Sequence, residues 1–239
     1  MTICGNTLLF TNRHVLSVTR SIPLYVRTRD KVGNFVRLKI GAWRGHPDPG
    51  VDIAAAFIEL PKGAKAEDFN VTVFNEDKDR ISEKPQSFLA KLEDLRVGDD
   101  VLLVGFPSSI PHVFQILQTY DQPIFRGGIV STKLPGLTHL KFREDTGADI
   151  DRELKDIFLI DAWSFRGNSG SPIFLQPVVG RYQGDRPHMT LGRPHIIGIQ
   201  GATIGGTGLT IVYAADGIEQ TAAQFPGANC PPVPKKAGN

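Results

Sequence analysis

The stretch Gly167-Asn168-Ser169-Gly170-Ser171-Pro172 holds the residue types best placed for chemistry in this chain. A serine that attacks a carbonyl needs backbone N–H groups aimed at the developing oxyanion, and a glycine two residues upstream lets the chain turn back so that two such groups converge. Gly167 and Ser169 are the expected donors. The Ser169 hydroxyl is a poor nucleophile until an imidazole takes its proton. Of the six histidines, His14 has the most suitable setting, in Leu9-Phe10-Thr11-Asn12-Arg13-His14-Val15-Leu16, where a strand ends and a short helical turn begins. His46, His112, His139, His188 and His195 sit in Pro- or Gly-flanked loops or at strand starts. An imidazole of this kind needs a carboxylate to fix its tautomer and stabilise the imidazolium. Asp52, opening the apolar run Val51-Asp52-Ile53-Ala54-Ala55-Ala56-Phe57-Ile58, is the candidate, because a carboxylate among apolar neighbours must be hydrogen-bonded to be tolerated.

The elements that must position these residues are strands. Thr7 to Phe10, Leu24 to Arg27, Phe35 to Ala42 and Asp52 to Leu60 are short, rich in Val, Ile, Leu and Phe, and closed by Gly, Pro, Asn or Asp. From Pro61 to Asp94 the pattern weakens and charges cluster, as in Glu76-Asp77-Lys78-Asp79-Arg80, which predicts a solvated linker. A second series follows at Asp100 to Phe106, Pro123 to Thr132, Phe158 to Trp163, Ser171 to Leu175, His195 to Gly201 and Leu209 to Ala214, enough for one small closed barrel. Glu144 to Asp156 reads as a polar acidic stretch without the glycine and closing glutamate of a calcium loop. Gly205-Gly206-Thr207-Gly208 reads as a hairpin turn. Asp216 to Ala223 predicts a short C-terminal helix capped by Asp216. The division expected is an N-terminal β-barrel over 1–60, an inter-barrel linker over 61–94, a C-terminal β-barrel with its helix over 95–225 and a disordered tail over 226–239.

Composition narrows the function classes. The 239 residues, 41% hydrophobic and 22% charged with 25 Gly and 17 Pro, suit a globular protein rich in turns. A formal charge of +2, with no basic block, argues against a nucleic-acid partner. The apolar runs are strand-sized, so no membrane span is expected. Cys4 and Cys230 make neither a disulfide framework nor a metal site, and the chemistry needs neither metal nor cofactor. With Met1 as the start and no signal segment ahead of His14, the default compartment is the cytoplasm.

Asn12-Arg13-His14-Val15, Val51-Asp52-Ile53-Ala54 and Gly167-Asn168-Ser169-Gly170 resemble the three catalytic motifs of trypsin-like serine peptidases, in that family's His, Asp, Ser order. Leu95-Arg96-Val97-Gly98-Asp99-Asp100-Val101, Gly105-Phe106-Pro107, Gly128-Ile129-Val130-Ser131 and Asp161-Ala162 are similar to segments of the high-temperature-requirement (Deg) branch, protease domain only, over roughly residues 7 to 220. The resemblance implies an all-β fold of two perpendicular six-stranded barrels, a cleft between them, a C-terminal helix and a polypeptide substrate. Only Met1 to Thr7 precede the histidine segment, so the first barrel is expected to lack its N-terminal strand.

In such a fold the primary pocket is lined by Trp163 and by Ile199, Gln200, Gly201 and Ala202. Trp163 stands where a carboxylate would select basic side chains, which points to small or medium apolar residues before the scissile bond. No hydroxyl lies near Asp52 on that strand before Thr203. Asn168 stands where digestive relatives carry an aspartate paired by a new N-terminus, so activation by N-terminal cleavage is not expected. Two other functions compete. An α/β-hydrolase would need Gly-x-Ser-x-Gly and the order Ser, Asp, His, neither of which is present. The alternative is a catalytically silent member of the trypsin-like fold acting as a peptide-binding module.

Overall fold

The computed structural model describes residues 2–3, 6–17, 25–65, 68–69, 88–106, 123–144, 147–165, 167–176, 181–183, 186–188 and 195–225. Most of the expected linker, the tail over 226–239 and both cysteines lie outside them.

The N-terminal part is an antiparallel sheet of β1 (Thr2–Ile3), β2 (Asn6–Thr11), β3 (Tyr25–Arg29), β4 (Phe35–Gly45) and β5 (Ala54–Glu59), ordered β1-β2-β5-β4-β3. β2 and β5 are central, with Leu9 opposite Ala56 and Thr11 opposite Ala54. The small side chains of Ala54 and Ala56 let α1 (Arg13–Ser17) lie close, so that Leu16 packs into the sheet with Ile40 and Trp43. The expected short helical turn after β2 is therefore present.

The C-terminal part is a closed six-stranded barrel. Its strands β6 (Asp100–Gly105), β7 (Ile124–Arg143), β8 (Asp149–Asp161), β9 (Pro172–Leu175), β12 (His195–Thr203) and β13 (Leu209–Ala214) run in the order β12-β13-β8-β7-β6-β9, and β9 closes the ring by pairing with β6. Two-residue alternation fills it: Val101, Leu103, Val130, Phe158, Ile160, Ile173, Ile197 and Val212 point inward and are buried. Burial stabilises each such side chain by about 1.5–3 kcal/mol. The opposite face of the same strands carries Ile157, Ile199, Ile211 and Tyr213, which pack against Val51, Ile53 and Ile218 and so join the barrel to the residues around Asp52. A separate hairpin pairs β10 (Arg181–Gln183) with β11 (Arg186–His188).

The polar, acidic stretch over Glu144 to Asp156 lies largely in a hairpin. β7 and β8 continue past the barrel as a long hairpin, with Leu137 opposite Lys155 and Arg143 opposite Asp149. Its acidic residues are cross-strand partners: Asp149 bonds Arg143 at 2.8 Å, and Asp151 bonds His139 at 2.7 Å and Lys141 at 2.9 Å. Charges on one face and Leu140, Phe142 and Leu154 on the other are the alternation of a half-buried ribbon. The C-terminal helix α2 (Asp216–Ala222) is where it was expected, but Asp216 does not cap it. Its carboxylate instead accepts the Leu92 N–H at 2.9 Å, tying the helix to a 3-10 turn at Leu92–Asp94. Beyond α2, Phe225 returns to Leu8 and Ala55 and stacks edge-on against Phe57, with centroids 4.9 Å apart. Among the described residues no helix is long and apolar enough to cross a membrane.

Candidate active site

The end of β2 and the segment before β5 are neighbours in the sheet, so residues 12–14 lie beside Asp52 as a direct result of strand pairing. Asn12 Nδ2 and the Arg13 N–H both donate to the Asp52 carbonyl, at 2.9 and 3.3 Å. The His14 N–H donates to Asp52 Oδ1 at 3.0 Å, while His14 Nδ1 lies 2.5 Å from Oδ2. The second contact makes Nδ1 the protonated nitrogen against a carboxylate and leaves Nε2 to accept a proton. The carboxylate is 12% exposed and the imidazole 47%, so the acid is enclosed while the imidazole reaches the surface. Arg13 extends the arrangement, donating to the carbonyls of His46 and Asp48.

Ser169 sits in a tight turn between β8 and β9. Gly167 has φ +94° and Gly170 φ +86°, a region open to glycine and strained for other residues. Gly170 also meets the N-terminal sheet: a Cβ there would fall 2.1 Å from Thr11 Oγ1. That contact brings the loop of Ser169 against a residue three positions before His14. The N–H groups of Asn168, Gly170 and Ser171 donate to Phe165, Gln200 and Asn168 carbonyls. Among the described residues, those of Gly167 and Ser169 have no acceptor, as donors kept for an oxyanion would. The Ser169 hydroxyl lies 3.5 Å from the Gly201 carbonyl, and no hydrogen bond joins it to His14.

Beside the turn lies a cavity of about 540 Å³ whose lining includes Leu8 and Phe10 from the sheet, Phe106, Ile196 and Ile199 from the barrel side, and Ser169 itself. Its described lining contains no acidic or basic side chain.

The residues expected to line the primary pocket fall in different places. Of Trp163, Ile199, Gln200, Gly201 and Ala202, only Ile199 lines this cavity. A bulge in β12 between Gln200 and Ala202 shifts the alternation, so Gln200 turns inward to Ser164 Oγ and Ala202 packs with the cluster around Tyr213. Gly201 offers its carbonyl rather than a side-chain wall. Trp163 is 61% exposed beside Gly208, neither core nor cavity wall. The rival histidines have other duties where their side chains are described. His46 is buried against Gln220 Oε1 at 2.8 Å, and His139 pairs with Asp151 on the hairpin. Thr11, Asn12 and Ser164 were given no role in the sequence reading. Only Asn12 carried a signal, its place beside His14.

The chain is similar to Deg- and HtrA-type proteases. It is 19% identical to Deg5, covering 91% of this chain and 76% of that one, with a TM-score of 0.49. It is 18% identical to the HtrA-type protease AlgW, described with a decapeptide, covering 95% of this chain and 51% of that one at a TM-score of 0.49, so it spans about half of AlgW. No protein-family model and no curated protein matches the sequence.

Proposed function

We propose that this chain is a serine endopeptidase that hydrolyses peptide bonds through an acyl-enzyme. The observation that carries the reading is the double hydrogen bond of His14 to Asp52, which orients an exposed Nε2 as base. In the proposed reaction Ser169 Oγ attacks the carbonyl carbon as its proton passes to His14 Nε2. The resulting oxyanion is held by the N–H groups of Gly167 and Ser169. The C–N bond then breaks, His14 returns the proton to the leaving amine, and the acyl group stays on Ser169. Water, deprotonated by His14, attacks the ester, and the acid leaves with the Ser169 hydroxyl restored. Asp52 remains ionised throughout and stabilises the imidazolium.

The substrate is a polypeptide with a small or medium apolar residue before the scissile bond. Ile199 and the apolar lining beside Ser169 support this, since a Lys or Arg side chain entering there would meet no carboxylate among the described lining residues. A second reading, a peptide-binding module that no longer cleaves, is favoured by the Ser169 hydroxyl lying near Gly201 rather than bonded to His14. A fluorophosphonate probe separates the two, because only an activated serine beside a formed oxyanion site is labelled. Labelling of the wild type and its loss in Ser169→Ala, with kcat lowered about 10⁶-fold, are the expected results. Turnover unchanged in Ser169→Ala would remove the assignment.

A further inference from the structure

Beneath the turn that presents Ser169 lie three polar side chains that the proposed reaction does not use. Ser164 is 0%, Asn168 1% and Gln200 2% exposed. Gln200 Nε2 donates to Ser164 Oγ at 2.6 Å, and Asn168 Nδ2 donates to the same oxygen at 3.3 Å. The backbone repeats the connection: the Gly170 N–H donates to the Gln200 carbonyl at 3.0 Å, and the Gln200 N–H donates to the Ser171 carbonyl at 2.9 Å. Gln200, on a barrel strand, therefore grips the turn on both sides of Ser169. Its backbone holds the residues after the nucleophile and its side chain holds Ser164 before it.

The second half of each amide sharpens the picture. Asn168 Oδ1 and Gln200 Oε1 are buried and have no partner among the described residues. Both side-chain amides thus depend on one hydroxyl oxygen. Apolar side chains would fill the same space without the cost of burying amides. A hydrogen bond, however, fixes direction as well as separation, whereas apolar contact fixes little beyond volume. What these bonds orient is the peptide segment 167–169, whose two free N–H groups flank Asn168.

We infer that Ser164 is a positioning residue that, through Asn168 and Gln200, holds the Gly167 and Ser169 N–H groups in the geometry that receives the oxyanion. The inference rests on the serine-peptidase reading. It predicts a defect in the transition state rather than in substrate binding, since Ser164 is buried away from the cleft.

The test uses the full chain with Ser164→Ala, Gln200→Leu and the double variant. Each is assayed for kcat and KM on an apolar peptide, for affinity toward a peptide boronate, which forms a tetrahedral adduct on Ser169, and for affinity toward the product peptide. Ser164→Ala is expected to lower kcat about 10- to 100-fold with KM within about two-fold. Boronate affinity should fall by a similar factor while product affinity holds. Gln200→Leu should behave alike, and the double variant should cost little more than the worse single one, because both act through one oxygen. Unchanged kcat in both folded single variants overturns the inference. Equal losses of boronate and product binding do so too, as does failure of both variants to fold, since each marks a general structural role. Wild-type protein that neither turns over nor takes the fluorophosphonate overturns the peptidase reading itself, and the inference with it.

Discussion

The two halves of the candidate site rest on differently built supports. The barrel behind Ser169 closes on itself, so each of its six strands has two partners, and its interior holds Phe158, Ile160, Ile173 and Ile197 at full burial. The sheet behind His14 and Asp52 is open among the described residues, with a two-residue strand at one edge and β3 at the other. Its central strand is filled by Ala54, Ala55 and Ala56, and Leu8 borders the large cavity. Closure removes strand edges and lets a core reach uniform density, whereas an open sheet with small residues relies on particular contacts. Ser169 is thus held by a strand network, and His14 by a single carboxylate.

Asp52→Asn gives the sharpest test of that contrast. With no carboxylate to receive Nδ1–H, His14 loses its tautomer and its charge partner together, and kcat should fall about 10⁴-fold on the peptide substrate while thermal stability changes little. A loss of less than about ten-fold would mean that other contacts hold His14, and that its support is as redundant as that of Ser169.

A smaller effect separates the two cores. Ile160→Ala in the barrel should destabilise the protein by about 2–5 kcal/mol, because a close-packed interior cannot collapse around the cavity left behind. Leu8→Ala should lie near the lower end of that range, since Leu8 belongs to a small cluster with Ala55 and Phe225 and borders the cavity. Denaturant midpoints at constant m-value report both. Equal costs would show that the sheet is packed as tightly as the barrel.

The smallest expected effect concerns the bridge between the halves. Asp48, just after β4, bonds Lys155 on β8 at 2.9 Å, and the Lys155 N–H donates to the Gly50 carbonyl at 3.0 Å. The Lys155 ammonium, with help from the Gly50 N–H, holds the Asp48 carboxyl below its ordinary value of 3.8. A depressed folded-state pKa contributes stability above the unfolded value, and this is lost as pH falls through the lower folded one. Asp48→Asn should therefore lower Tm slightly at pH 7 and make progressively less difference as the pH falls into the acid range below 3.8. A difference that persists into that acid range would show that Asp48 acts through packing rather than charge.

Much of this was legible in the residues themselves. Alternating apolar segments marked both strand series, and Asn12-Arg13-His14, Asp52 and Gly167-Asn168-Ser169 stood out because acyl transfer requires those types. The pairing of His14 with Asp52 follows from two adjacent strands. The facing of Gln200 and Ala202 did not follow, because the bulge between them shifts the alternation, and a bulge leaves no mark in a two-residue pattern. The partners of the acidic stretch did not follow either, since Asp149 and Asp151 meet Arg143, His139 and Lys141 only when the strand opposite is in register.

The sequence by itself determined the functional groups available, since a hydroxyl, an imidazole and a carboxylate are properties of residue type and local turn. Only the tertiary structure decided the environment of that chemistry. It brought Thr11 against Gly170, left the Gly167 and Ser169 N–H groups without acceptors among the described residues, and placed Ser164 and Gln200 beneath the turn. These contacts join residues separated by tens of positions. Their geometry is set by barrel closure and strand register, which depend on the packing of the whole core rather than on any local run of side chains.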